Sequence, residues 1–285
     1  MQRIIVPIDF SEESYKGLRL AIIYANKFKS DLQMVYVVRE KAGKFHVEVE
    51  NIYNAAIEEF EQVIKKYRPE LHQDCDFSYI IKSGKIYEEV TRQAEAFDDS
   101  MIICSTNGES GFSEYVIGSN AYKIVQNTTR PVITLTTENY VRKIKKIVMP
   151  LDITKETREK VPIVARVAKE FGAEVHILKV TSSRNKGIHN KLKIYATQSK
   201  KFFDDHGVKY ESSLIVGDNI TDSTIEYAET IDADLIAIMT EQTTALKNFL
   251  LGSYAYQMLN TSPVPVMSVT PRGLYFTSGV STTGA

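Results

Sequence analysis

An internal repeat limits this chain to two copies of one fold. The segment RIIVPIDFS at residues 3–11 returns as KIVMPLDIT at residues 146–154, 143 residues later. This offset holds through the helical pattern that follows, and it falls to 133 and then 134 toward the end of each copy. A unit of this length is a whole domain, since solenoid repeats are only about 20–50 residues long. The first copy therefore carries about ten extra residues between its second and third strands, somewhere within the stretch 40–68.

The helix after the first strand has the same apolar face in both copies. Its apolar residues recur at the i, i+3, i+4 and i+7 positions of one helical face. Ser11 and Thr154 stand where the N-caps of these helices belong. We expect an amphipathic helix in each copy, with the corresponding pairs Leu18 and Val161, Ala21 and Val164, Ile22 and Ala165, Ala25 and Ala168, and Phe28 and Phe171.

Strands and helices alternate along each copy. This alternation predicts βαβ units and a doubly wound α/β fold, in which each of two tandem Rossmann-like domains has a five-stranded, mainly parallel sheet with helices on both faces. The expected domains are 1–139 and 140–272, followed by a mobile tail at 273–285 that is rich in Gly, Ser and Thr. In the first copy, the strand runs lie at 3–8, 32–38, 77–82, 101–105 and 132–136, and the helical patterns at 12–29, 50–67, 85–97 and 118–127.

The last strand of each copy would be an exposed sheet edge in an isolated domain. These strands are 132–136 and 266–270. Unpaired edges favour association, so pairing the two inside one chain would cover both. We expect an internal pseudo-dimer, with a further homodimer left open.

Composition gives no electrostatic reason to expect nucleic acid or an integral membrane as a partner. The chain has 35 basic and 36 acidic residues, a formal net charge of −1, and 43% hydrophobic residues. No apolar run approaches the ~18 residues of a membrane span, and the N-terminus reaches Asp9 too soon for a signal peptide. The only two cysteines, Cys75 and Cys104, favour a reducing compartment, and we expect the cytoplasm.

Polar and small residues follow three strands at the edge where an open α/β sheet binds ligands. Asp9 closes the first strand and could accept hydrogen bonds from a ribose or an adenine amino group. Val37 ends the second strand and could form an apolar wall for a base, while the fourth strand runs into the small polar loop 104–108. Further on, Gly118-Ser119-Asn120 opens a helix whose backbone N–H groups and hydroxyl suit a phosphate.

This arrangement resembles the ATP-binding type of universal stress protein. That family joins an acid after the first strand to a Gly-x2-Gly-x9-Gly-Ser/Thr motif after the fourth, which here reads Ser105-x2-Gly108-x9-Gly118-Ser119. The resemblance covers the chain to about residue 271 as a tandem pair. It implies an adenine nucleotide alpha hydrolase-like fold that binds ATP or ADP, with or without Mg²⁺. By position it implies adenosine contacts at Pro7, Ile8, Asp9, Val37 and Cys104, and phosphate contacts at Ser105, Gly108, Gly118, Ser119 and Asn120.

Both copies depart from the family's phosphate loop. Ser105 replaces the first loop glycine, which would cost about 1–2 kcal/mol if the position needs a positive φ. The second copy reads Met239-Thr240-Glu241-Gln242, so both loop glycines are absent and Glu241 would stand near a phosphate. We expect the second domain to be mainly structural, with a site that binds nucleotide weakly or not at all and is formed by Pro150, Asp152, Val180, Gly252 and Ser253.

Simpler interpretations of these residues stay open. Asp9 and Asp152 could be capping residues at strand ends, and Gly118-Ser119 an ordinary helix start. Cys104 ends an apolar run with no histidine near it in sequence, which favours a buried core thiol over a nucleophile. The five histidines have no metal-ligand spacing with the cysteines, so we expect no metal site.

The resemblance and the strand-end residues together predict a stress-response regulatory protein that binds an adenine nucleotide in its first domain and serves an unidentified protein partner. The alternative is a nucleotide-free protein-interaction module of the same fold, which the missing loop glycines favour. We expect no enzyme beyond slow incidental ATP hydrolysis. The His-x-Gly-His and Ser-Gly-Gly-x-Asp-Ser signatures of related catalytic folds do not occur in the sequence, and no general base is identifiable.

Overall fold

The first half of the chain forms five strands and four α-helices in alternation. The computed structural model describes residues 1–38, 46–106, 118–135, 143–240 and 252–271, with the backbone alone for 46–49. The strands are β1 (Arg3–Pro7), β2 (Asp31–Val38), β3 (Phe77–Ser83), β4 (Ser100–Ser105) and β5 (Val132–Leu135). The helices are α1 (Glu12–Phe28), α2 (His46–Tyr67), α3 (Ile86–Glu95) and α4 (Ser119–Asn127), with a 3₁₀ turn at Arg68–Glu70.

The second half repeats the same order of elements. Its strands are β6 (Lys146–Leu151), β7 (Glu174–Thr181), β8 (Tyr210–Val216), β9 (Leu235–Met239) and β10 (Val266–Val269). Its helices are α5 (Val161–Phe171), α6 (Lys186–His206), α7 (Ile220–Thr230) and α8 (Ser253–Thr261), with a 3₁₀ turn at Glu156–Arg158. The doubled α/β fold predicted from the sequence is confirmed. The predicted tail at 273–285 and Thr136 lie outside the described residues.

All ten strands belong to one sheet, in the order β3-β2-β1-β4-β5-β10-β9-β6-β7-β8. Within each half the neighbouring strands run parallel. The halves meet where β5 and β10 pair antiparallel, with Ile133 opposite Met267. The two sequence-predicted edges therefore cover each other inside one chain. Within the described ranges, no helix is long and apolar enough to cross a bilayer.

Helices cover both faces of the sheet and bury a separate core on each. Successive strand residues point to opposite faces, so Ile4 and Val6 pack beneath α1 and α2 while Ile5 packs beneath α3 and α4. The same alternation puts α5 and α6 on the first face and α7 and α8 on the second. Burial on both faces explains why these strands are continuous apolar runs in sequence.

Equivalent residues of the two halves meet across a pseudo-twofold axis. On one face, the Phe171 ring lies 4.8 Å from the Tyr24 ring and 6.3 Å from Phe28, its own counterpart in the first half. On the other face, the rings of the counterparts Tyr122 and Tyr256 pack edge to face at 5.6 Å. The halves are therefore joined by paired strands and by an aromatic contact on each side of them.

The helix starts differ between the halves, and this corrects one prediction. Ser11 is the N-cap of α1, and its hydroxyl accepts a hydrogen bond from the Ser14 N–H. Thr154 caps no α-helix, because α5 begins only at Val161, after the 3₁₀ turn. Pro162 gives the physical reason: inside a helix it would clash with the preceding turn and remove a hydrogen bond, whereas in the first turn it costs nothing.

The aromatic contact between the halves leads to a testable prediction. We expect Phe171→Ala to lower the free energy of unfolding by about 1–2 kcal/mol, since the ring is only partly buried. Because the ring couples the halves, we also expect the slope of the urea transition to decrease as they begin to unfold separately. Phe202→Ala is the control, since Phe202 is also partly buried but stacks on His206 within α6. Equal slopes for the two variants would contradict the coupling.

Candidate functional site

The candidate site lies where the strand order of the first half reverses. β1 lies between β2 and β4. The chain continues outward from β2 to β3 on one side of β1, and outward from β4 to β5 on the other. Crevices at such a switch point, outside the carboxyl ends of parallel strands, are the usual ligand sites of open α/β sheets. Residues 7–9, 37–38 and 104–106 all reach this edge. The predicted adenosine-contact residues are therefore brought to one end of three neighbouring strands.

Asp9 has a local partner at this edge. One carboxylate oxygen, Oδ1, accepts hydrogen bonds from the Ser11 N–H at 3.1 Å and from the Ser11 hydroxyl. Asp9 therefore orients the residue that caps α1, in line with the simpler interpretation of this acid. A carboxylate has about four lone-pair sites, so this turn leaves it able to accept further hydrogen bonds.

The walls beside Asp9 are apolar and mostly buried. Val37 and Cys104 both belong to the core on the α3 and α4 face, and Ile8 packs on the opposite side of the sheet. Pro7, the last residue of β1, is half-buried. Burial raises the pKa of the Cys104 thiol to about 12, so it stays protonated at neutral pH. Cys104 is therefore a buried core thiol.

Ser105 fits the position of the family's first loop glycine. It is the last residue of β4 and is paired with Leu135 of β5. Its backbone is therefore extended, and the left-handed conformation that would favour glycine is not required here. The predicted cost of a serine at this position does not arise.

The start of α4 is tied directly to the end of β4. The Gly118 N–H donates to the Thr106 carbonyl at 2.6 Å, and Thr106 is fixed in turn by its own N–H and hydroxyl, which both donate to the Leu135 carbonyl at 2.8 Å. A Cβ at Gly118 would lie 2.2 Å from the Thr106 carbonyl oxygen, so only glycine fits without a shift. Gly108 and the rest of 107–117 lie outside the described residues.

The first turn of α4 has the features of an anion site. Its N-cap is Gly118, which has no side chain to bind the first N–H groups. Ser119 is exposed and Asn120 is half-buried, so both can be reached from solvent. Free N–H groups at a helix N-terminus attract anions through hydrogen bonding and the helix dipole.

The second half keeps the strand-end acid and the glycine start. Oδ1 of Asp152 accepts from the Thr154 N–H at 2.7 Å and from its hydroxyl, as Asp9 does with Ser11. Pro150 and Val180 are buried. Gly252 is the N-cap of α8 with no side-chain cap, and Ser253 is exposed. Glu241 and Gln242 of the altered loop lie outside the described residues.

A buried lysine distinguishes the second half. The repeat aligns Lys160 with Gly17 of the first half. Because Gly17 has no side chain, α1 lies so close to β4 that a Cβ added at Gly17 would be only 3.2 Å from the Ser105 backbone nitrogen. The Lys160 side chain is only 1% exposed, and its Nζ donates to the Thr157 carbonyl at 2.7 Å and weakly to the Thr157 hydroxyl at 3.3 Å. Burial lowers the pKa of Lys160 to about 8, although the Asp152 carboxylate opposes the shift.

Sequence reasoning missed Thr106 and Lys160. The role of Thr106 depends on a backbone carbonyl, which leaves no side-chain signature. Lys160 could have been found, because the repeat aligns it with a glycine in the middle of a buried helix face. Among the described residues, no group of three or more His, Cys, Asp or Glu side chains could hold a metal ion.

The fold and this edge together define a class: a tandem, doubly wound α/β protein with a strand-end acid and a Gly-Ser helix start in each half. The sequence model of the universal stress protein family matches residues 1–135 and again residues 143–270. The chain therefore belongs to the universal stress protein family.

Individual relatives agree with this assignment. A universal stress protein of Methanocaldococcus jannaschii is 32% identical over 139 residues, which cover 44% of this chain and 81% of the relative. One of Bacillus subtilis is 25% identical over 142 residues, covering 46% of this chain and 96% of the relative. The crystal structure of a universal stress protein from Archaeoglobus fulgidus has the same overall fold, with a TM-score of 0.76 at 19% identity over 94% of this chain and 98% of that one.

Proposed function

We propose that this chain is a stress-response regulatory protein that binds ATP, ADP or another adenine nucleotide in its first half. The observation that carries the proposal is the hydrogen bond from Gly118 to the Thr106 carbonyl. It holds the start of α4, which has no side-chain cap among the described residues, against the end of β4 and next to the carboxyl end of β1. An anion site and a strand-end carboxylate then share one edge of the sheet.

Each part of the nucleotide has a complementary group at this edge. The uncapped N–H groups at the start of α4, with the Ser119 hydroxyl, suit a phosphate. Asp9 retains acceptor capacity for a ribose hydroxyl or an adenine amino group. Val37 offers an apolar wall of the kind that lines most small-molecule sites. The chemistry proposed for these groups is that of binding.

The second half serves mainly to complete the sheet in this proposal. Its loop has Glu241 where a phosphate would approach, and its buried Lys160 replaces the glycine that brings α1 close to β4. The proposed domain boundary lies between residues 139 and 140, in the gap between the two family matches. A cytoplasmic location and an unidentified protein partner remain part of the proposal.

A matched pair of variants tests the site. Ser119→Glu places a negative charge at the start of α4 in the first half, and Ser253→Glu does the same at α8 in the second; both serines are exposed. We expect Ser119→Glu to weaken ATP binding at least tenfold, about 1.4 kcal/mol, through charge repulsion and the lost hydroxyl. Ser253→Glu should bind like the wild type. The measurement is calorimetric titration with ATP and ADP, with and without Mg²⁺.

Other outcomes would redirect the assignment. Equal losses in the two variants would show that both halves bind. No heat at millimolar nucleotide, together with no nucleotide released from freshly purified protein in mass spectrometry, would favour the nucleotide-free interaction module. The local hydrogen bonds of Asp9 to Ser11 are the observation that favours this second candidate, since they give the acid a purely structural role.

A further inference from the structure

An aromatic cluster fills the space between α2 and the sheet in the first half. The Phe60 ring stacks on Tyr79 at 4.4 Å and meets Phe10 at 4.9 Å, while Phe10 lies 5.1 Å from Tyr36. These rings pack over β2, β3 and the end of β1, on the face opposite Val37 and Cys104. The space is thus closed by protein side chains in this half.

The second half lacks these aromatic residues at the corresponding positions. The repeat places Ile153 at the position of Phe10, Lys179 at that of Tyr36 and Ser212 at that of Tyr79. The buried α6 residues include the small Ala196 and Ser199. At the strand positions and the end of β6, the rings are therefore replaced by an amine, a hydroxyl and an aliphatic side chain, although α6 itself still buries the rings of Tyr195 and Phe203.

The replacement leaves an uncovered surface that combines amines with apolar groups. Lys179 of β7 is paired in register with Leu214 of β8, and Val216 follows two residues later on the same face. Leu214 is 44% exposed and Val216 is 42% exposed. We call Lys179, Lys193, Lys200, Leu214 and Val216 the Lys179 surface.

Three positive charges meet at this surface. Burial, and then the charges of Lys200 and Lys193 on α6, lower the pKa of Lys179. Lys200 also reaches over the face of β8, with its Nζ 5.9 Å from the centre of the Tyr210 ring. Three clustered amines cost free energy that an anion would recover.

A buried hydroxyl under α6 adds a second observation. Ser212 lies two residues before Leu214 on the same face, opposite Ile177 of β7. Its Oγ is buried and has no hydrogen-bond partner in the described part of the chain. Buried polar atoms normally have partners, and this hydroxyl could bind a polar group that enters from this face.

We propose that the Lys179 surface binds a small amphipathic anion, with an acidic head on the lysines and an apolar chain on Leu214 and Val216. The apolar area that Leu214 and Val216 expose is far smaller than a stable protein interface needs, since such an interface buries about 800 Å² on each partner. The site lies on the opposite face of the sheet from the proposed nucleotide site and in the other half. It therefore does not depend on nucleotide binding.

Calorimetric titration of the full chain with dodecanoate, below its micelle concentration, tests the proposal. We expect saturable binding of one equivalent. Acetate, which has the head alone, and dodecyltrimethylammonium, which has the same chain with a positive charge, should bind at least tenfold more weakly. Equal binding of dodecanoate and dodecyltrimethylammonium would overturn the proposal, as would an absence of saturable binding.

Variants assign the binding to this surface. Lys179→Tyr introduces the residue found at this position in the first half, and it should weaken dodecanoate binding at least tenfold. Lys179→Met removes the charge with less added volume, and it provides a second measure if the tyrosine disturbs folding. Lys209→Met removes an exposed lysine just before β8, at its amino end, and should bind like the wild type. Unchanged binding in both Lys179 variants would overturn the assignment. Cosedimentation with anionic phospholipid vesicles without dodecanoate binding would also overturn it, in favour of a bilayer.

Discussion

Replacing Lys160 by methionine should raise the free energy of unfolding by about 2 kcal/mol at pH 7. The lysine is fully buried, and burial lowers its pKa from 10.5 to about 8. Each pKa unit corresponds to 1.36 kcal/mol, so keeping this amine protonated in the folded state costs about 3 kcal/mol. Methionine has nearly the same shape without the charge, but it leaves the Thr157 carbonyl without its donor, at a cost of about 1 kcal/mol.

The gain should depend on pH in a defined direction. Below pH 8 the lysine is protonated in both the folded and the unfolded chain, and the full penalty applies. Between pH 8 and 10.5 the unfolded chain binds more protons at this site than the folded chain, so wild-type stability rises with pH. The advantage of Lys160→Met should therefore shrink over this interval and reverse above it, where only the lost hydrogen bond to the Thr157 carbonyl remains.

Urea unfolding of both proteins at pH 7 and pH 10 checks this, with Lys201→Met as the control. Lys201 is an exposed lysine on α6, so its replacement should change stability by less than about 0.5 kcal/mol at either pH. Comparing each variant with the wild type at the same pH removes the contribution of other groups that titrate in this range. A destabilised Lys160→Met at pH 7 would show that the ammonium is well compensated in the folded state, against the direction of its pKa.

The repeat made the fold readable from the sequence. Two copies of one pattern imply the same order of strands and helices, and the apolar alternation fixes which residues face which core. The repeat was misleading at one point. Aligning Thr154 with Ser11 suggested that the two helices begin at equivalent residues, but Pro162, seven residues into the aligned helix, requires a later start.

The site was less readable because its key contacts are made by the backbone. Asp9 and Gly118 could be proposed from their positions, but the hydrogen bond that holds Gly118 to Thr106 depends on how the chain returns to β4. The packing of Lys160 and the uncovered surface beside Lys179 depend on which side chains fill the interior. Composition and periodicity describe the faces of an element, not the volume between elements.

The second large effect is expected for Gly118→Ala, which should reduce stability and nucleotide binding together. The added Cβ would lie 2.2 Å from the Thr106 carbonyl oxygen, a backbone atom that is itself held by β5 through Thr106. The start of α4 must then move away from the end of β4. We expect the free energy of unfolding to fall by about 1–3 kcal/mol, as for other overpacked sites.

Nucleotide affinity should fall at least tenfold in the same variant, because the N–H groups that would hold the phosphate move with the helix. Gly187→Ala is the matched control: it also adds a methyl group in the first turn of a helix, but the nearest atom, at 3.0 Å, is the side-chain oxygen of the N-cap Asn185, which needs to shift by only a few tenths of an ångström. Its stability should change by less than about 1 kcal/mol, with nucleotide binding unaffected. If Gly118→Ala were as stable as Gly187→Ala, the contact with Thr106 would not constrain the helix. If Gly118→Ala lost stability but kept full affinity, the phosphate would lie elsewhere than the start of α4, and the nucleotide site would need to be sought on another part of the sheet edge.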